Sequence, residues 1–140
     1  RPAVSFDDIQ TASVIRYPYL WVREAGQGET EGRKHRPVAV GVRIGRLDGD
    51  VLLLFPVTTK EPEKGRFAAE VPATEKRRAG LDLKLRVWII LDEYNTDMIG
   101  RSFYLEPDPP MGRFSKAFFL PLVRAFVARR KSLRGVDRAR

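Results

Sequence analysis

The chain contains no cysteine and a single histidine, His35, which excludes disulfides, thiolate metal sites, a cysteine nucleophile, His-cluster metal centres and two-histidine acid/base pairs. Long apolar runs are missing as well. Stretches such as Val51 to Phe55 fall far short of the roughly 18 to 20 residues that span a bilayer, so no membrane anchor of that kind is expected. A phosphate-cradling glycine loop is excluded on pattern, because Gly26-Gln27-Gly28 lies in a charged stretch with no strand before it or helix after it. With 140 residues there is room for one core, and 43% hydrophobic with 31% charged residues fits a soluble folded domain. The lack of disulfide chemistry makes a reducing cytoplasm the default compartment. The sequence opens on Arg1 rather than Met, which reads as a trimmed start.

What the chain has in excess is positive charge, +8 net with a pI near 10.2, and such fields attract nucleic acids, anionic lipids or acidic proteins. The charge is unevenly placed. Arg124, Arg129, Arg130, Lys131, Arg134, Arg138 and Arg140, set against Asp137 alone, give the last 17 residues +6 and leave +2 for the first 123.

Val38, Val40, Val42 and Ile44 alternate with Ala39, Gly41 and Arg43, the period of a half-buried strand. Asp48-Gly49 then marks a hairpin turn, and Val51 to Phe55 reads as a strand buried on both faces, ended or moved to an edge by Pro56. Upstream, Ser13 to Tyr19 with Trp21 and Val22 predicts an opening strand interrupted at Pro18, followed by a long mobile loop from Arg23 to Arg36. Phe67, Ala69 and Val71 predict a third strand. Thr74 suits an N-cap for a helical turn over Glu75 to Ala79 that Gly80 stops. Leu81, Leu83, Leu85 and Val87 predict a long strand running to Leu91, and Phe103 to Leu105 a last short one. Phe119, Leu122, Val123, Phe126 and Val127 recur at helical spacing; Pro121 is tolerated only in a first turn, which puts the helix start near Phe119, with a kinked helix from Ser115 as the alternative. The architecture expected is mainly β, a small antiparallel barrel or sheet packed by one C-terminal helix, as one domain over residues 1–131 with a disordered basic tail at 132–140.

If the hairpin closes on Asp48-Gly49, facing residues sum to about 97, pairing Val42 with Phe55 and Ala39 with Thr58. Arg36 then lies three residues, roughly 10 Å, beyond the level of Thr58. An arginine, a hydroxyl and an imidazole at one open end suit phosphate recognition, because a guanidinium fork matches phosphate oxygens.

Gly32-Arg33-Lys34-His35-Arg36-Pro37-Val38-Ala39-Val40, preceded by Val14-Ile15-Arg16-Tyr17-Pro18-Tyr19, resembles the opening of the PemK/MazF family of toxins. Leu52 to Lys60, containing Pro56-Val57-Thr58-Thr59, resembles the second motif of that family, and Leu91-Asp92-Glu93-Tyr94-Asn95-Thr96 its third. The resemblance runs over about Ser13 to Ala128 and implies an SH3-like barrel with a C-terminal helix, forming a homodimer, cleaving single-stranded RNA without a metal or other cofactor, and held in check by an acidic antitoxin. It implies Arg36 and Thr58 as the catalytic pair, with the 2′-OH of the substrate attacking phosphorus, Arg36 stabilising the phosphorane and Thr58 donating to the phosphate. His35, Thr59, Lys60 and Asp92 are further acid/base or RNA-binding candidates. The sequence departs from the family at Ile90, where some relatives carry Arg, and at Glu93, which would repel RNA.

Each candidate also has a plainer reading. Arg36 and His35 suit a solvated loop, Thr58 a turn cap after Pro56, Asp92 a cap shared with Asn95, and Lys76-Arg77-Arg78 a solvated helical face. Two alternatives to the nuclease follow: a non-catalytic relative that binds a protein such as a topoisomerase or only RNA, and a β domain that uses its basic tail for nonspecific nucleic-acid binding.

Overall fold

In the computed structural model, which describes residues 6–28 and 34–139, the first β-hairpin is built by β2 (Arg36–Ile44) and β3 (Val51–Thr58), with β1 (Ser13–Tyr17) on the far side of β2. Beyond β3 the sheet forks. Residues 51–54 of β3 pair with β6 (Glu93–Met98), whereas Val57 and Thr58 pair with β5 (Trp88–Ile90), which carries β4 (Ala68–Glu70) at its other edge. β7 (Gly112–Arg113) borders β1, and β8 (Arg134–Asp137) runs parallel to β6. Together these strands make a curled, largely antiparallel half-barrel. Among the described residues three α-helices complete the fold: α1 (Val22–Ala25), α2 (Ala73–Ala79) and α3 (Lys116–Arg129).

Alternation along β2 and β3 divides the core in two. Ala39, Phe55 and Val57 face α3, where Phe114, Phe119 and Phe126 pack on them. Val38, Val40, Leu52 and Leu54 face the opposite way, onto Ile15, Tyr17, Tyr19, Ile90 and Leu105. The sheet is therefore buried on both sides, as the unbroken apolar run of β3 requires.

The hairpin register is tighter than the sequence suggests. The turn closes on Leu47 and Asp48, one residue before the expected Asp48-Gly49, with the Gly49 amide donating to the Arg46 carbonyl (3.3 Å), so Val42 faces Leu53; a bulge between Val40 and Val42 then shifts the register by one more residue, and Ala39 faces Phe55. Gly41 occupies the bulge, and a Cβ there would sit 2.5 Å from the Phe55 ring. Pro56 lies inside β3 rather than ending it: its missing N–H falls where β3 has left β6 and not yet joined β5.

Several expected elements change. The opening strand stops at Tyr17, and Trp21 and Val22 begin α1 instead; of the expected loop, residues 29–33 lie outside the described residues. Pro72, not Thr74, is the N-cap of α2, while Gly80 ends it in the left-handed region at φ 72°, with the Met111 carbonyl 2.5 Å from where a Cβ would be. Leu81 to Arg86 form no strand. The buried Lys76 ammonium, donating to the carbonyls of Leu85 (2.6 Å) and Leu83 (3.4 Å), gathers that segment into a turn and leaves Leu83 and Leu85 half exposed. Nor do Phe103 to Leu105 form a strand; Ser102 caps the turn by accepting from the amides of Tyr104 and Leu105.

The helix α3 starts at Lys116, capped by Ser115, and runs through Pro121, so the longer helix rather than a start near Phe119 is the one realised. Glu75 fixes that start, since its carboxylate accepts from the Ser115 amide at 2.8 Å and hydroxyl at 2.7 Å. The expected disordered tail is instead a short 3₁₀ turn at 130–132 followed by β8. Beyond β8, Arg138 is 4% exposed and donates to the Pro18 carbonyl (2.7 Å) and Asn95 Oδ1 (3.3 Å). Among the described residues no helix is long and apolar enough to cross a membrane.

Candidate functional site

Strand pairing sets the candidate residues in one row across the sheet. Tyr17 faces Arg36, and Thr58 faces Trp88. Continuing the β2–β3 ladder two residues past Val38 and Pro56 brings Arg36 level with Thr58. Opposed residues on neighbouring antiparallel strands have Cα atoms roughly 5 Å apart and side chains on one face, so the earlier turn and the bulge together bring the two closer than the roughly 10 Å expected. That face is the one turned away from α3.

Arg36 is half-buried at the mouth of this face. Its guanidinium carbon lies 5.1 Å from the centre of the Trp21 ring, and its Nε is buried with no hydrogen-bond partner among the described residues. Burial, with neighbouring Arg23, makes its proton easier to remove than from a free arginine, while Glu24 opposes the effect. A buried N–H donor without an acceptor costs free energy, and a bound anion would supply the acceptor.

Two clefts open along this edge. One, about 120 Å³, is lined by Arg36 with Tyr19, Trp21, Arg23, Glu24 and Lys34. The other, about 360 Å³, is lined by Thr58 and Lys60 with Trp21, Arg23, Arg66 and Ile90, and by Glu61 and Glu63. Trp21 and Arg23 belong to both. The Thr58 hydroxyl oxygen accepts from the Lys60 amide at 3.1 Å, which is the turn-capping role and also leaves its own proton free to donate outward. Thr59 and Lys60 are exposed, and Thr59 borders a more apolar cleft on the other side of Thr58. His35 is exposed, immediately before β2.

Asp92 is engaged elsewhere. Its carboxylate forms a forked ion pair with Arg66, one arm at 2.8 Å, and hydrogen bonding to Asp92 raises the Arg66 pKa. Asn95 does not share a cap with it, being buried with its side chain bonded to the Leu20 amide and carbonyl. Glu93 turns inward, accepting from the Tyr19 hydroxyl (3.1 Å) and the Val22 amide (3.0 Å). Its charge thus anchors the segment carrying Trp21 rather than meeting a ligand. Ile90 supplies an apolar wall to the Thr58 cleft.

Sequence reasoning missed Trp21, Arg23 and Arg66. The first two precede the Arg-Pro motif by more than a dozen residues, and only the chain reversal through α1 brings them to it. The basic C-terminal segment lines neither cleft, although Ser132 to Arg134 border a neighbouring one that shares Arg66, and part of it is committed: Arg138 is buried, and the Arg129 guanidinium lies 4.2 Å over Phe67. No family model matches the chain, and no curated protein matches it in sequence.

Proposed function

We propose that this protein is a metal-independent endoribonuclease of the PemK/MazF type, with an SH3-like barrel, acting on single-stranded RNA through Arg36 and Thr58. The observation that carries the reading is the half-buried Arg36 guanidinium, its Nε without an acceptor, placed level with the Thr58 hydroxyl at one open edge of the sheet.

The chemistry follows from these groups. The ribose 2′-oxygen attacks the adjacent phosphorus, losing its proton as the new P–O bond forms. The 5′-oxygen leaves and takes up a proton, giving a 2′,3′-cyclic phosphate and a 5′-hydroxyl. Negative charge accumulates on the non-bridging oxygens in the transition state, where donors fixed in advance are most effective. Arg36 supplies a charged fork already desolvated on Trp21, and Thr58, whose oxygen is occupied by the Lys60 amide, supplies a hydroxyl proton. Lys60 extends the positive edge. A homodimer and an acidic antitoxin partner belong to the same reading.

Purified protein should cleave a diverse single-stranded RNA panel in EDTA and leave 2′,3′-cyclic ends. Arg36→Ala should lower kcat about 10²-fold, the usual cost of losing one transition-state donor. Intact RNA across the panel would overturn the proposal. The alternative, a non-catalytic binder on the same barrel, is favoured by one observation: Trp21 and Arg23 stand between the Arg36 and Thr58 clefts. It would be supported by a captured protein partner together with undiminished toxicity of Arg36→Ala in cells.

A further inference from the structure

Two guanidinium groups share one indole: Arg23 lies 5.0 Å and Arg36 5.1 Å from the centre of the Trp21 ring. A single cation stacked on tryptophan is a common stabilising contact, but a second brings like-charge repulsion, which the pair itself does nothing to relieve. Among the described residues neither arginine has an ion-pair partner. The acids beside them are Glu24, whose charge acts on Arg36, and Glu61 and Glu63, which line the Thr58 cleft with Arg23. Glu24 accepts from the Trp21 amide (3.1 Å), and Glu61 meets Arg86 (3.3 Å). The arrangement is a cationic ledge on which, among the described residues, neither guanidinium is held by a carboxylate within ion-pair distance.

Arg23 is also the one charged side chain that lines both the cleft of Arg36 and the cleft of Thr58. A phosphodiester chain that runs from one cleft into the other passes it. We propose that Arg23 is a second phosphate-binding residue, held on Trp21 and contacting the RNA strand beside the phosphate that Arg36 and Thr58 hold; this rests on the ribonuclease reading above for the identity of the strand. Trp21 is then a positioning residue for both guanidiniums, and Lys34, which lines the Arg36 cleft, extends the ledge at its outer end.

The test is binding of a fluorescently labelled 2′-O-methyl oligoribonucleotide, which lacks the attacking hydroxyl and stays intact, followed by anisotropy across a salt series with inorganic phosphate as competitor. Arg23→Ala should weaken binding about tenfold and lower the slope of log K against log salt by about 0.7, the value for one phosphate contact on a single strand. Arg23→Lys should restore the slope. Because Arg23 is exposed, neither change disturbs the core. Cleavage assays on the same variants should place the loss in KM rather than kcat. Unchanged affinity and slope in Arg23→Ala would overturn the proposal, even in a protein that cleaves RNA normally. Arg23-dependent binding by a protein that cleaves nothing would uphold the site and remove the nuclease.

Discussion

Replacing Arg138 with alanine should destabilise the fold by about 3 kcal/mol, although the residue is the third from the end of the chain. The guanidinium donates to the Pro18 carbonyl at 2.7 Å and to Asn95 Oδ1 at 3.3 Å, and it lies 4.0 Å over the Tyr104 ring and 5.6 Å from that of Tyr17. A hydrogen bond to a charged group contributes about 1.5 to 3 kcal/mol, and a desolvated cation–π contact about 2. Relief of burying the charge offsets part of that sum, which leaves roughly 3. For a chain of this size 1 kcal/mol shifts Tm by about 3 to 4 °C, so Tm should fall by about 10 °C. Circular dichroism melts and urea titrations would measure it. Arg134→Ala, on β8 but exposed, should change stability by less than about 0.5 kcal/mol. Arg138→Lys, which keeps the charge but loses the planar fork, should fall between the two. If Arg138→Ala and Arg134→Ala melt together near the parent protein, the C-terminal strand is not holding the sheet and the reasoning fails.

Alkaline pH should unfold the protein through two tyrosines. Burial first, then the carboxylates of Asp97 and Glu93 to which they donate, hold the Tyr17 and Tyr19 hydroxyls well above their ordinary pKa near 10. Below pH 10 both the folded and unfolded states keep these protons; above it the unfolded chain loses them while the folded one does not, so each tyrosine shifts the equilibrium toward unfolding about tenfold per pH unit. Tyr19→Phe should therefore flatten the fall in stability above pH 10, and an unchanged slope would contradict the assignment. Pro121→Ala, at an exposed site within α3, restores an amide donor to the Ala117 carbonyl and should stabilise the protein by about 1 to 2 kcal/mol in the same urea titrations. A loss there would mean that the Pro121 ring is needed for packing.

Where a segment's environment is set by its neighbours in sequence, the sequence was sufficient. Valine alternation over 38–44, a turn signal near Asp48-Gly49 and the apolar run of β3 specify a hairpin buried on both faces, although the turn closes one residue earlier, on Leu47 and Asp48, and Gly80 specifies a helix stop, because these features act through local backbone geometry. The strand β6 was invisible for the opposite reason. Its inward row is Glu93, Asn95 and Asp97, which reads as solvent-facing until Tyr19, Leu20 and Tyr17, more than 70 residues away, supply their hydrogen bonds. Similarly, Arg-Gly-Val-Asp in β8 has no strand signature of its own. It becomes a strand because the edge of β6 is open to it and Gly135 can lie against the Tyr94 ring, where a Cβ would be 2.2 Å from a ring carbon.

The sequence by itself determined the hairpin and placed an arginine and a threonine near one end of it. Tertiary structure alone decided that they are level with each other, through a turn that closes on Leu47 and Asp48 and a bulge at Gly41 that no periodicity announces. It decided too that Asp92 and Glu93 are taken up by Arg66 and by the Tyr19 and Val22 donors, and that Trp21 and Arg23 return through α1 to stand beside Arg36. Much of the basic excess that first drew attention lies outside the clefts, and Arg138, in the same segment, is locked in the interior. Local pattern records what a residue can do, whereas burial and long-range partners determine which of its groups remain free to do it.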